Sequence, residues 1–229
     1  MSESVIFASY LGRIPYTAAH VFQKALRDAV IAGQSPGGLL LLEHPPVITL
    51  GRHGRDSNVV LTRERLAAAG VEVHHVERGG DVTYHGPGQL VGYPVMPVTG
   101  GVARFVEALA QAAAALLAGW GIATRWDAER PGLWTPRGKI AAVGLSIQHG
   151  VAMHGIAVNI DPDLSHFQYI VPCGLAGSAV TSVREELGWS LPVEAAAEAL
   201  ALGFRPPGTD RRVKLLAPDA FFQAVGVHP

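Results

Sequence analysis

Gly138-Lys139-Ile140-Ala141-Ala142-Val143-Gly144-Leu145-Ser146-Ile147-Gln148-His149-Gly150-Val151-Ala152-Met153-His154-Gly155-Ile156-Ala157-Val158-Asn159-Ile160 is the stretch on which the fold turns. Lys139–Gln148 and Val151–Ile160 read as two strands, and His149-Gly150 between them is a tight turn. Strands that neighbour each other so closely do not suit a doubly wound parallel sheet, which needs a helix after every strand. Strict β-α-β alternation is missing elsewhere too. The pattern predicts an α/β (α+β) chain: a mixed β-sheet flanked by helices.

Working outward, a strand is expected over Val5–Tyr10 and a helix over Tyr16–Ala32, ended by Gly33. The continuous apolar run Leu39–Leu42 makes Gly38–Glu43 a buried strand. His44-Pro45-Pro46 breaks it, and Val47–Leu50 resumes as a strand. A short helix over Thr62–Ala69 and a strand over Val71–Glu77 follow. Arg78 to Gly88 holds four glycines and a proline and reads as a loop. Leu90–Val95 is a strand and Val102–Trp120 the longest helix. Residues 161–181 read mostly as loop, and Glu194–Leu202 as a short helix. From Phe204 the tail is Pro-rich and arginine-bearing, with a last apolar segment near Phe221-Phe222. No linker divides the chain, so residues 1–229 are expected to form one domain.

Composition narrows the function classes. Hydrophobic residues make up 48% and charged residues 16%, which suits a globular chain with a substantial core. A net charge of −1 offers nothing to a polyanion, so no nucleic-acid partner is expected. The most apolar stretch, Phe105 to Ile122, carries Glu107 and Gln111 and reads as a core helix, not a membrane span. Met1-Ser2-Glu3-Ser4-Val5 has neither a basic nor a long apolar region, so no signal peptide is expected. With no cysteine pair, a reducing, cytoplasmic location follows.

Three features can carry chemistry. Cys173 is the only cysteine, between Pro172 and Gly174. It is a buried small hydrophobe, a surface thiol or a nucleophile; the flanking Pro and Gly place it at a turn. Lys139 is one of three lysines against fifteen arginines, and it opens an apolar strand. It either snorkels at the strand end or pairs its ammonium with a partner. The third feature is Arg78-Gly79-Gly80-Asp81-Val82-Thr83-Tyr84-His85-Gly86-Pro87-Gly88-Gln89. Its glycines allow close approach to a ligand, or simply form a turn. It matches neither a dinucleotide fingerprint nor a P-loop.

Together, a lysine and a cysteine suffice to make a thiolate. An ammonium about 4 Å from the thiol, at an effective dielectric of about 20, contributes on the order of 4 kcal/mol. That is roughly three pKa units. Metal chemistry is not expected. His74-His75 point to opposite faces of a strand, His149 and His154 straddle a turn, and no H-E-x-x-H or C-x-x-C spacing occurs. The Gly-x-Ser-x-Gly elbow is absent as well. Arg52, His53, Arg55, Arg63 and Arg65 read as a solvated basic face.

Five segments in register resemble the octanoyltransferase family of lipoate biosynthesis. They are Leu42-Glu43-His44-Pro45-Pro46-Val47-Ile48-Thr49-Leu50-Gly51-Arg52, Arg78 through Leu90, Gly138 through Gly144, His154-Gly155-Ile156-Ala157-Val158-Asn159, and Pro172-Cys173-Gly174-Leu175. The likeness runs from about residue 38 to 184; the tail carries no family signal. It implies the fold of the biotin- and lipoate-protein ligases. It implies transfer of an octanoyl group from acyl carrier protein, whose phosphopantetheine holds it as a thioester. The acceptors would be lipoyl domains of 2-oxoacid dehydrogenase complexes and the glycine cleavage H protein. By the same likeness Cys173 is the acyl-thioester nucleophile and Lys139 its acid/base partner. Arg78, Gly79, Gly80, Asp81, Val82, Thr83, Tyr84 and His85 line the acyl site. Ala142, Val143, Gly144, Gly155, Ile156 and Ala157 border the acyl chain. No cofactor or metal is implied. The nearest alternatives are an ATP-dependent lipoate- or biotin-protein ligase and a non-catalytic module that binds acyl carrier protein. A hydrolase built on the cysteine and a histidine is a further alternative.

Overall fold

The computed structural model describes residues 5–171 and 179–228. Its first half runs β1 (Val5–Arg13), α1 (Tyr16–Ile31), β2 (Gly38–Glu43), β3 (Val47–Leu50), α2 (Arg63–Ala68), β4 (Glu72–His75), β5 (Val82–His85) and β6 (Gln89–Val95). Then come α3 (Val102–Gly119), β7 (Arg125–Asp127), β8 (Gly132–Thr135), β9 (Gly138–Gln148) and β10 (Val151–Asn159). After residue 178 the chain forms α4 (Val183–Leu187), α5 (Val193–Gly203), β11 (Arg212–Leu215) and α6 (Pro218–Val225).

The hairpin is present. β9 and β10 pair antiparallel, with Ala142 opposite Ala157, Val143 opposite Ile156 and Gly144 opposite Gly155. His149 (φ 48°) and Gly150 (φ 78°) both adopt left-handed backbone, as a two-residue turn matched to strand twist requires. The hairpin lies in an eight-stranded mixed sheet ordered β11-β1-β2-β6-β10-β9-β8-β7, in which β1 runs parallel to both β2 and β11. β2 is buried along its whole length because both sheet faces are covered. Leu39 and Leu41 face one core with Phe105, Leu109 and Leu200 from α3 and α5. Leu40 and Leu42 face the other with Phe22, Leu26 and Phe221 from α1 and α6. α3 is long and apolar enough to cross a membrane, but here its apolar stripe packs into the first of these cores.

A second sheet, β4-β3-β5, carries its own small core of Ile48, Leu50, Leu66, Val71, Val82, Tyr84 and Ile170. This corrects the expectation of loop throughout Arg78–Gly88. Val82-Thr83-Tyr84-His85 is a run of β-formers, and it pairs antiparallel with β3, placing Tyr84 opposite Ile48. The tail, whose last apolar segment is expected near Phe221-Phe222, also holds regular elements. β11 extends the large sheet beside β1, and α6 covers the sheet through Phe221. β7 and β8 are too short to show a sequence period. A 3-10 turn over Leu164–Tyr169 lies within 161–181, and α4 follows with Ser182 Oγ capping Glu185 N–H at 3.2 Å.

Candidate active site

A cavity of about 460 Å³ lies where the loop before β5 meets the β9–β10 hairpin, within the size range of small-molecule sites. Ala142–Gly144 and Gly155–Ala157 line it from the hairpin, and Arg78–Thr83 with His85 line it from the small sheet. Two glycines explain the close fit. The loop lies directly on β9, with Gly79 N–H donating to the Leu145 carbonyl at 2.8 Å. A Cβ on Gly144 would stand 3.0 Å from the Gly79 carbonyl oxygen. A Cβ on Gly155 would run into the Gly92 main chain on β6.

Arg78 is buried among polar partners. Its Nε and Nη2 donate to Thr49 Oγ1 at 3.1 and 3.0 Å, Nη2 also donates to Thr49 O at 2.7 Å, and Nη1 to Gly79 O at 3.0 Å. It ties the loop to β3. Tyr84 is placed differently from its neighbours and is not among the cavity residues. Side chains alternate along a strand, so Tyr84 turns into the small-sheet core, where its hydroxyl lies 2.7 Å from His166 Nδ1.

Lys139 lines the same cavity. Its Nζ lies 3.5 Å from Pro131 O and 4.9 Å from the Trp134 ring centroid, and Arg130 covers that ring at 4.1 Å. Its main chain pairs across to the residues that follow Ser178. Lys139 N–H donates to Ala179 O at 2.9 Å, and Thr181 N–H donates to Lys139 O at 3.0 Å. On the other side, Val171 N–H donates to Asn58 O at 2.8 Å. The Asn58 amide in turn bonds both carboxylate oxygens of Asp81, at 2.8 and 2.7 Å. Cys173 lies outside the described residues.

A buried polar chain joins the recognised segments. His85 Nδ1–H donates to Gln89 Oε1 at 2.6 Å, Gln89 Nε2 to Asn159 Oδ1 at 2.9 Å, and Asn159 Nδ2 to Thr181 O at 2.9 Å. Thr181 then meets Lys139. Burial holds His85 neutral, its pKa pushed down to about 3. Glu43 serves the same loop from below, its carboxylate accepting from Gly88 N–H at 2.6 Å and from Tyr10 Oη–H at 2.9 Å. His44 donates from Nδ1 to Ile14 O at 2.7 Å and meets Tyr93 Oη at 2.8 Å; burial lowers its pKa to about 4. Gln89, Asn159 and His44 stand in the recognised segments, yet nothing in their spacing marks them as one network. Thr181 and Trp134 carry no sequence signal at all.

The family model of the lipoyl protein ligase A/B catalytic domain matches residues 15–205. The octanoyltransferase of Chloroflexus aggregans is 45% identical over 197 residues, covering 83% of this chain and 89% of that one. That of Alkaliphilus metalliredigens is 43% identical over 183 residues, covering 78% and 84%. The chain belongs to the octanoyltransferase family. As an octanoyltransferase it is an acyltransferase, and the octanoyl transfer belongs to lipoate biosynthesis. Among solved structures, lipoate-protein ligase A bound with ATP superposes with a TM-score of 0.71 at 16% identity, covering 96% of this chain and 93% of that one. The putative lipoate protein ligase Ta0514 from T. acidophilum gives 0.69 at 16% identity, covering 96% and 92%. At that identity they show a shared fold: the octanoyltransferase has the mixed sheet flanked by helices expected of it.

Proposed function

We propose that the octanoyl group travels from the phosphopantetheine thioester of acyl carrier protein to Cys173 and then to a lysine ε-amine of a lipoyl domain. The supporting observation is that Lys139 lines an apolar cavity while its main chain carries Ala179 and Thr181, the residues just past the cysteine segment. Upstream, Cys173 follows Val171 by two positions, a span of at most about 7 Å, and Ile170 next to Val171 lines the cavity.

In the first step the Cys173 thiolate attacks the thioester carbonyl. A C–S bond to the enzyme forms, the C–S bond to pantetheine breaks, and Lys139 supplies the proton taken by the departing thiol. In the second, the acceptor amine attacks, an amide C–N bond forms, the Cys173 sulfur leaves as thiolate, and the Lys139 amine takes up the proton lost by the attacking nitrogen. An amide is more stable than a thioester, so the chemistry runs without ATP, metal or cofactor. Acceptors are the lipoyl domains of 2-oxoacid dehydrogenase complexes and the glycine cleavage H protein, and the reaction is cytoplasmic. Gly79–Asp81 and His85 wall the acyl site, and Ala142–Gly144 with Gly155–Ala157 border the chain.

Octanoyl-acyl carrier protein and a lipoyl domain, mixed with the enzyme in the absence of ATP, test this. Octanoyl amide should accumulate with wild type and not with Cys173→Ser. Transfer that requires ATP and survives Cys173→Ser would overturn the reading.

A further inference from the structure

His20 on α1, Glu77 in the segment after β4, and His154 on β10 meet beside the acyl cavity. Their ligand atoms all lie within 4.8 Å of one another. His20 Nε2 stands 3.2 Å from each carboxylate oxygen of Glu77, and His154 Nε2 stands 3.9 Å from Glu77 Oε2. The last distance is too long for a hydrogen bond. His154 is only 2% exposed, yet its Nε2 has no hydrogen-bond partner among the described residues. Buried polar nitrogens without partners are rare and costly.

The backbone is committed to this placement. His154 holds φ at 57° within a β-strand, a left-handed conformation that a side-chain-bearing residue seldom adopts. Its N–H donates to Gln23 Oε1 at 2.9 Å. α1 therefore presents Tyr16, His20 and Gln23 along one face toward β10. Among the described residues, Tyr16 Oη and Gln23 Nε2 are buried without hydrogen-bond partners as well. Tyr16 and His154 both line the cavity.

We propose that His20, Glu77 and His154 bind one divalent transition-metal ion of the Zn²⁺ or Co²⁺ class. Two imidazoles and one carboxylate suit a borderline-soft ion and leave one position of a tetrahedral shell open. Mg²⁺ and Ca²⁺ prefer all-oxygen shells and fit poorly. Bonds of about 2.1 Å call for ligand atoms roughly 3.4 Å apart around a tetrahedral ion; partly exposed Glu77 can close the remaining gap. The proposed transfer does not use this site.

The test is a titration of chelator-stripped full-length enzyme with Co²⁺, followed by visible absorption. One equivalent should bind with the intense d–d bands of a low-coordinate ion, and Zn²⁺ should displace it. His20→Gln and His154→Asn should each weaken binding at least tenfold, while the surface change His75→Gln should leave it unaltered. Asn tolerates the left-handed backbone at 154; should that variant fail to fold, Glu77→Gln replaces it with the same expectation. Absence of uptake by wild type, equal affinity in all variants, or a thiolate-to-cobalt charge-transfer band marking Cys173 as the ligand would each overturn the proposal.

Discussion

The main-chain N–H of Lys139 donates to the carbonyl of Ala179 at 2.9 Å, and the Lys139 carbonyl accepts from Thr181 at 3.0 Å. The residue proposed to supply the cation is thus also the backbone partner of the chain that follows the cysteine segment. These bonds belong to the backbone and do not depend on the Lys139 side chain.

Lys139→Ala should therefore keep the fold and lose chemistry. Acylation should slow by roughly 10²–10⁴-fold, the usual contribution of a positioned acid/base group. The pH at which an alkylating agent labels Cys173 should rise toward that of an ordinary thiol, while Tm changes little. Superimposable alkylation profiles for the two proteins would end the Cys/Lys account.

Asn159→Leu should disturb the polar chain at the cavity wall, which Asn159 itself lines. It removes the Asn159 acceptor from Gln89 Nε2, which keeps only the Tyr84 carbonyl at 3.3 Å, and the Asn159 amide donor from the Thr181 carbonyl. A cost of about 1–3 kcal/mol is expected, or about 2–4 °C in Tm per kcal/mol for a chain of this size. Thermal denaturation checks it, and acylation should fall alongside as Thr181 loses its hold on the backbone of Lys139.

Ala142→Leu projects three more carbons at the cavity wall. Hexanoyl donors should gain relative to octanoyl and decanoyl donors, by about 1–3 kcal/mol per displaced methylene. Single-turnover acylation with each donor measures the shift. An unchanged preference would remove the Ala142 edge from the acyl site.

Stability should fall in mild acid. His44 and His85 have folded pKa values near 4 and 3, below the ordinary 6.5, because burial disfavours the cation. The unfolded chain therefore takes up protons first as the pH drops. The contribution is complete above about pH 6.5 and is lost progressively below it, down to the folded pKa of each. Between pH 7 and pH 5 the loss is on the order of 2 kcal/mol for each histidine. Urea unfolding at the two pH values reads it, and His44→Gln should flatten the dependence.

The hairpin, the buried β2 and the long α3 were legible because each has its own local signal: a turn dipeptide, a continuous apolar run and an amphipathic period. β5 was hidden because the glycines around it outweighed four β-forming residues whose partner, β3, is visible only in the fold. β11 was hidden for the same reason: its partner is the first strand of the chain. The candidate site divides likewise. Lys139, the Arg78–His85 segment and the two glycine-bearing strand edges could be named from motifs. The chain His85–Gln89–Asn159–Thr181 joins residues up to 96 positions apart. The His20–Glu77–His154 cluster spans 134 positions. Spacing rules that look for ligands a few residues apart pass over both.

The central claim is that the acyl group rests on Cys173. Intact-protein mass spectrometry after mixing with octanoyl-acyl carrier protein reads this directly. The account predicts an increase of one octanoyl group, mapped to Cys173 by peptide digestion and discharged on adding a lipoyl domain. Octanoyl-lipoyl domain appearing at full rate with no covalent adduct on the enzyme, or an adduct on any other residue, would contradict it.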